Sequence, residues 1–470
     1  MRRAGCERAV LALAALAWAG LAGCGPSPPA PVDRLVLVTI DTLRADHVGC
    51  YGDPNAQTPV LDAISASGIR FEQAISPAPL TMPSHGSMLT GLDPPAHGVR
   101  TNGAAPLSPE VPLATESLRD AGYATAAFVA AAVLDARYGL ARGFDRYDDE
   151  ASNRRAAGAG SYAERPGNEV VDAALAWLRT APDRFFLWVH LYDPHADYDP
   201  PPRFARLVPG DPYGGEIAFA DVQVGRLLQG IERRFGRESL AVLATSDHGE
   251  SLGEHGEDSH GLTPYDATQH VPLLLRAPGL PRGGVVRAPV RTIDVAPTLL
   301  ELGGAAPLPG ARGRSLIGLA QGRSEPPRLA YIEAIEPQVA FGWSPLLGVR
   351  NATHKYVRAP RPELYDLARD PHEIHDLAAS EPERVAELDA VLEEILVEAR
   401  AQAPEGDATG GGLDAAERER LESLGYVAPD TDLPGGREIG EVGGPDPKDR
   451  MVEAQALQHA RQLVKDGRGD

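Results

Sequence analysis

Residues 35–42 read LVLVTIDT. An unbroken apolar and β-branched run stops at a carboxylate. That pattern predicts a strand buried on both faces, as in a parallel sheet. Asp41 and Thr42 then sit at its C-terminal end, where open α/β sheets place their ligands. Outward from this strand, Thr58-Pro59 supplies a cap and a first-turn proline. Val60, Leu61 and Ile64 give a helical stripe closed by Gly68. Strand-like runs recur at residues 71–75, 124–129, 185–192, 240–245 and 271–275. Helical periodicity covers residues 114–121, 170–180, 217–231 and 295–302. Alternation of this kind predicts an α/β class protein, with one large domain built on a mostly parallel sheet.

A second stretch, LTMPSHGSMLTG at residues 80–91, begins with a hydroxyl and a proline and stops at a glycine. Thr81 is expected just before a helix N-terminus, among unpaired N–H groups at the positive end of the helix dipole. That environment suits an anionic oxygen or a bound phosphate or sulfate. Thr81 is therefore a candidate nucleophile, with backbone N–H groups near Ser84 as an anion site. An ordinary start, with Thr81 or Ser84 as a cap, is the plainer reading.

The chain has 470 residues, of which 43% are hydrophobic, enough for a large core and a smaller second unit. A net charge of −21 excludes a nucleic-acid partner, because phosphate backbones require clustered Lys and Arg. Arg2, Arg3 and Arg8 precede an apolar run at residues 10–22 that is short for a bilayer span. The run ends in Leu21-Ala22-Gly23-Cys24, which resembles the bacterial lipoprotein cleavage box. That resemblance implies a signal peptide at residues 1–23 and a lipid anchor at Cys24. The protein is then expected to be exported and held at the cell envelope. Residues 24–34 read as a stiff proline-rich tether. With Cys6 removed and Cys24 lipidated, Cys50 has no partner for a disulfide.

The catalytic α/β domain is expected over residues 35–324 and a smaller α+β subdomain over 325–430. In the latter, residues 354–357 and 363–367 look like strands, and 381–400 like a polar helix. Residues 431–448 are rich in Pro, Gly and acids and predict a flexible linker. Residues 449–466 predict an amphipathic helix that either docks on the body or begins a helical repeat.

Acids and histidines cluster at the strand ends. Asp41 ends one strand and Thr245-Ser246-Asp247-His248-Gly249-Glu250 ends another. Two carboxylates and an imidazole suit a divalent cation. Gly249 would let Asp247 and His248 face one ion by permitting a turn. His195, in HLYDPHADYDPP (190–201), is placed to hold an anion or protonate a leaving group. His255 and His260, in GEHGEDSHG (253–261), could serve an anion or a second metal.

These clusters resemble the sulfatase family within the alkaline phosphatase superfamily. The resemblance rests on VTIDTLRADHVGCYG (38–52), LTMPSHGSMLTG (80–91), HGVRTNG (97–103), HLYDPHADYDPP (190–201), ATSDHGESLGEHG (244–256), TIDVAPTLLELGG (292–304) and KYVRAPRPELYDLARDPHE (355–373). It implies an α/β/α sandwich with a large mostly parallel sheet, alkaline phosphatase-like, and a small C-terminal subdomain. By position, Asp41, Asp247 and His248 resemble metal ligands, and Thr81 lies at the nucleophile, also metal-bound. Asn102 lies where some relatives hold the transferred group, and His195 where relatives contact the ester oxygens. His260 lies where many sulfatases have a lysine of the same purpose. Three departures stand out. Thr81 occupies the Cys or Ser position that becomes formylglycine, so no formylglycine is expected. His85 replaces the family's arginine, and Thr42 its second aspartate.

The expected activity is a metal-dependent hydrolase (Ca, Mg, Mn or Zn) acting on a phosphate or sulfate ester through a covalent Thr81 intermediate. The substrate is expected to be an anionic ester of a small molecule, glycan or lipid headgroup, selected by loops such as residues 151–166. A transferase to a lipid or glycan hydroxyl and a non-catalytic binding lipoprotein stand as alternatives.

Overall fold

The computed structural model describes residues 30–103, 106–150, 165–404 and 437–465. The expected export signal, Cys24, most of the tether and residues 151–164 of the specificity loop lie outside the described residues. So do residues 405–436.

Among the described residues, nine strands form the main sheet. They are β1 (Arg34–Ile40), β2 (Ile69–Ile75), β3 (Ala124–Phe128), β4 (Arg146–Asp148), β5 (Phe185–Leu191), β6 (Leu240–Ser246), β7 (His270–Arg276), β8 (Gly284–Val286) and β9 (Val290–Arg291). Their order is β4-β3-β5-β1-β6-β7-β2-β8, with β9 beside β2. All run one way except β7, which is antiparallel to both β6 and β2. The sheet is therefore mostly parallel, as its apolar runs predict. The edge strands β4, β8 and β9 were not foreseen, because two or three residues carry no readable period.

Every residue of β1 from Leu35 to Ile40 is buried, so both faces of the sheet are covered. The covering helices are α1 (Pro59–Ser67), α2 (Thr81–Thr90), α3 (Ala114–Asp120), α4 (Gly167–Leu178), α5 (Pro212–Phe235) and α6 (Val295–Gly303). α5 lies against α1 and α4, while α6 lies against α2 and α3.

Strands β10 (Ala330–Ala334), β11 (Leu346–Arg350), β12 (His354–Arg358) and β13 (Glu363–Asp366) make a second, antiparallel sheet in sequence order. Helix α7 (Pro382–Gln402) packs Leu388, Leu392, Ile395 and Leu396 against Tyr331, Val349, Tyr356 and Leu364. Residues 437–448, expected to be flexible, are instead fastened to this unit. Ile439 and Val442 pack on its core, Gln338 Nε2 donates to Glu438 O at 2.8 Å, and Ser344 N donates to Pro445 O at 2.8 Å. The segment has no period of its own, and backbone carbonyls of Glu438 and Pro445 are satisfied by the subdomain. The terminal helix α8 (Met451–Lys465) docks by Met451 and Ala454, which pack with Leu262 and Trp343.

Pairing register places the site. Ile40 sits opposite Leu191 of β5 and Ser246 of β6. The next residues, Asp41, Tyr192 and Asp247, therefore emerge side by side at the C-terminal ends of three adjacent strands. β2 runs in the same direction as β1, so the chain leaving it enters α2 at that same edge.

Candidate active site

Asp41, Thr81, Asp247 and His248 are brought together and wholly buried. His248 Nε2 lies 3.7 Å from Asp41 Oδ1, 3.6 Å from Asp247 Oδ2 and 3.4 Å from Thr81 Oγ1. His248 Nδ1 is 2.9 Å from Gly249 O, so it carries the proton and Nε2 presents a lone pair. Asp247 divides its two oxygens. Oδ1 accepts from His248 N at 2.9 Å and Thr42 N at 3.3 Å, while Oδ2 has no hydrogen-bond partner. Both oxygens of Asp41 are likewise buried without a hydrogen-bond donor in place. Burial, then the Asp247 and Glu250 carboxylates, raise the Asp41 carboxyl well above its usual range. Burial acts the same way on Asp247, but His248, His85 and His190 outweigh it and hold that carboxyl low.

Gly249 has a different role from the one expected. Its φ is not positive. A Cβ there would stand 2.1 Å from Ala267 O, so glycine is required by close approach.

Thr81 is the first residue of α2, and its cap residue Leu80 is extended. The N–H groups of Met82 and Ser84, expected to face an anion, are used within the protein. Met82 N donates to Asn102 Oδ1 at 2.9 Å, Pro83 has no N–H, and Ser84 N donates to Leu80 O at 3.2 Å. Ser84 Oγ donates to Ala78 O at 2.7 Å and is structural. Asn102, which is buried, keeps an Nδ2 with no partner.

His85, at the family's arginine position, is fully buried. Trp188 Nε1 donates to Thr39 Oγ1 at 3.0 Å, and that hydroxyl lies 3.1 Å from His85 Nε2. His85 Nδ1 is 2.8 Å from Thr81 O and 3.7 Å from Asp247 Oδ2. The chain of donors leaves the proton on Nδ1, where it holds the Thr81 carbonyl. Burial pushes this imidazole down to about 3. It is therefore a neutral clamp and cannot replace the arginine's charge.

His195 and His260 lie close to His248. The His260 ring is 4.5 Å from that of His248 and 5.0 Å from that of His195. His195 Nδ1 bonds Ala196 O at 2.6 Å, and its Nε2 is buried without a partner. Burial lowers His195 to about 3 and His260 to about 4. His255 is not part of the site. It stacks on Tyr265 at 3.7 Å, and its Nε2 lies 3.2 Å from His372 O.

Two site residues were present in the quoted motifs without being assigned. His190 lies inside β5, opposite Thr39, with Nε2 3.4 Å from Asp41 Oδ2. Glu250 is wholly buried, with Oε1 2.9 Å from His260 Nδ1. A carboxylate two residues past Asp247-His248 was the available signal for the second. For the first, only strand register could tell.

A family profile described as Sulfatase matches residues 33–305. The chain belongs to the sulfatase family. A second profile, for the C-terminal region of N-sulphoglucosamine sulphohydrolase, matches residues 253–402. The chain is 27% identical to a steryl-sulfatase of Mus musculus over 79% of its length and 82% of the relative's. It is also 27% identical to an ulvan-active sulfatase of Formosa agariphila, covering 78% and 81%. Among solved structures it resembles a phosphonate monoester hydrolase of Agrobacterium radiobacter, with a TM-score of 0.67, 22% identity and coverage of 79% and 96%. That likeness carries the fold, a large mostly parallel sheet with a small antiparallel C-terminal sheet.

The residues present suit a divalent cation of the kind sulfatases use. Three buried carboxylate oxygens lack donors, and His248 offers a lone pair beside them. Unpaired buried charge of that density is costly without a cation.

Proposed function

We propose that this sulfatase is a metal-dependent hydrolase of a phosphate or sulfate ester that works through a covalent adduct on Thr81. The observation that carries the reading is the place of Thr81 Oγ1, 3.4 Å from His248 Nε2 and beside the unpaired oxygens of Asp41 and Asp247. A divalent cation (Ca, Mg, Mn or Zn) held by Asp41, Asp247, His248 and Thr81 would lower the hydroxyl's pKa and draw charge from an ester oxygen.

The chain's own groups supply the rest. Thr81 Oγ1 attacks the central atom in line, from a helix start held by the His85 and Asn102 bonds. The unpaired Asn102 Nδ2 is available to the anionic oxygens. His195 or His260 handles the proton of the leaving oxygen. Threonine offers no hemiacetal from which sulfate could collapse, so water must attack the central atom of the adduct. That requirement favours a phosphate ester over a sulfate ester. The names of the relatives, a steryl-sulfatase and an ulvan-active sulfatase, support an anionic ester of a glycan or small molecule as substrate, and an ester of a lipid headgroup belongs to the same proposal. We further infer export and a lipid anchor at Cys24. Among the described residues no helix is long and apolar enough to cross a membrane.

The test is a panel of aryl phosphate, phosphodiester, phosphonate and sulfate esters with added Mn, Zn, Mg or Ca. Thr81→Ala is expected to lower kcat/KM by roughly 10³-fold or more, with Thr81→Ser retaining part of it. Full activity in Thr81→Ala would sink the reading.

A further inference from the structure

The active-site imidazoles differ in what stands behind them. His195 and His248 have Nδ1 on backbone carbonyls, Ala196 O and Gly249 O. His260 has Nδ1 on a carboxylate, Glu250 Oε1, at 2.9 Å, with the Ser259 hydroxyl more distant at 3.4 Å. Side-chain exposure is 5% for His260 and 0% for Glu250, so water does not compete for the bond. When ionised, Glu250 only accepts, which places the proton on Nδ1 and the lone pair on Nε2; burial pushes that carboxyl up to about 7. A carboxylate in this place also stabilises an imidazolium when Nε2 takes up a proton, which a carbonyl does less well.

The pair is held rigidly from outside. Arg44 Nη1 donates to Glu250 O at 3.0 Å, and Ser251 N donates to Ser259 O at 2.8 Å. Glu257 Oε1 accepts from Leu262 N at 2.8 Å, and Leu262 is packed against Met451 and Trp343. Such support from neighbouring groups is what a proton-transfer site needs.

We propose that Glu250 is a positioning residue that fixes His260 with its proton on Nδ1, making His260 Nε2 the base that activates the water releasing the Thr81 adduct. This rests on the covalent reading above. In the step, a water proton passes to Nε2 as the water oxygen bonds to the central atom. The bond from that atom to Thr81 Oγ1 breaks, and its electron pair stays on Oγ1. The imidazolium, paired with Glu250, then gives its proton to solvent, while Oγ1 on the opposite face regains one from water and the threonine is restored.

The experiment uses the full-length protein with added Mn and para-nitrophenyl phosphate, then bis-para-nitrophenyl phosphate and para-nitrophenyl sulfate. The activated leaving group needs no acid, so adduct formation survives while release does not. Glu250→Gln and His260→Gln are expected to give a burst near one nitrophenol per protein, followed by turnover slowed on the order of 10²-fold. Intact-mass and peptide analysis should find the adduct on Thr81 in both variants, and Glu250→Asp should recover part of the release rate. Equal slowing of burst and turnover with no adduct, or no slowing at all, overturns the proposal. A separate arm reads imidazole nitrogen NMR shifts without substrate. His260 should be protonated at Nδ1 in the native protein and lose that preference in Glu250→Leu, which offers Nδ1 no acceptor. An unchanged tautomer overturns the proposal, whereas full turnover in Thr81→Ala overturns only the covalent reading beneath it.

Discussion

Asp41 presents two oxygens into a closed site, and His190 decides how they differ. Ala130 N donates to His190 Nδ1 at 3.4 Å, which leaves the ring proton on Nε2, 3.4 Å from Asp41 Oδ2. Oδ2 thus faces that N–H without a formed hydrogen bond, and Oδ1 faces His248. Burial holds the His190 imidazole near 4, so the N–H that faces Asp41 belongs to a neutral ring at neutral pH. Donors behind ligand carboxylates typically change metal affinity by 10- to 100-fold. His190→Ala should weaken divalent-cation binding by roughly that factor, measured by titration calorimetry with Mn or Zn. His190→Gln, which keeps a donor, should lose less. Unchanged affinity in His190→Ala would mean that Asp41 is aimed by its backbone alone.

The loop between β6 and β7 carries His260, and its shape depends on one buried acid. Glu257 accepts from Leu262 N and from the Thr263 hydroxyl, across the turn that holds His260. Burial pushes its carboxyl up to about 8, against an ordinary 4.5. The folded state therefore binds this proton more tightly than the unfolded chain. Its contribution to stability is complete below about 4.5 and is lost as pH rises through about 8, at about 1.4 kcal/mol per unit. Glu257→Gln removes the titration while keeping an acceptor for Leu262 N. Urea denaturation of the variant from pH 5 to 9 should show a flatter decline than the native protein, with the largest gain at the alkaline end. A parallel decline in both would show that other groups set the slope.

The two sheets are joined by charge as well as by packing. Lys355 of β12 is wholly buried, with Nζ 2.6 Å from both Asp266 Oδ1 and Glu373 Oε1. Arg350 of β11 adds a second bond to Asp266 at 3.0 Å. Asp266 lies just before β7, so this cluster ties the second sheet to the main one. Nearer Thr81, Glu333 N of β10 donates to Pro77 O at 2.8 Å, on the segment leading into α2. The small sheet is thus a buttress for the Thr81 loop. Lys355→Met leaves two buried carboxylates facing each other with only Arg350 to balance them. It should cost about 3–5 kcal/mol of stability in urea denaturation. A loss under about 1 kcal/mol would show that packing alone joins the sheets.

Much of this could be read from the chain. The apolar runs of β1, β5 and β6 specify strands buried on both faces, because only such strands tolerate continuous hydrophobicity. Their terminal Asp41, His195 and Asp247-His248 mark the site, because strand ends are where side chains leave the sheet for solvent or ligand. Burial, register and hydrogen-bond direction were not legible, since each depends on residues distant in sequence. In the sequence His85 is only a departure from the family's arginine, and the chain Trp188–Thr39–His85 alone shows where its proton goes. Ser84 looks like the floor of an anion site until Leu80 and Asn102 are seen to use the helix donors. Residues 437–448 look like free linker because their partners lie on the second sheet. Sequence determined which groups exist and at which strand ends they emerge. Tertiary structure alone decided which lone pairs and protons face one another, because those depend on close approach between strands that only folding makes neighbours.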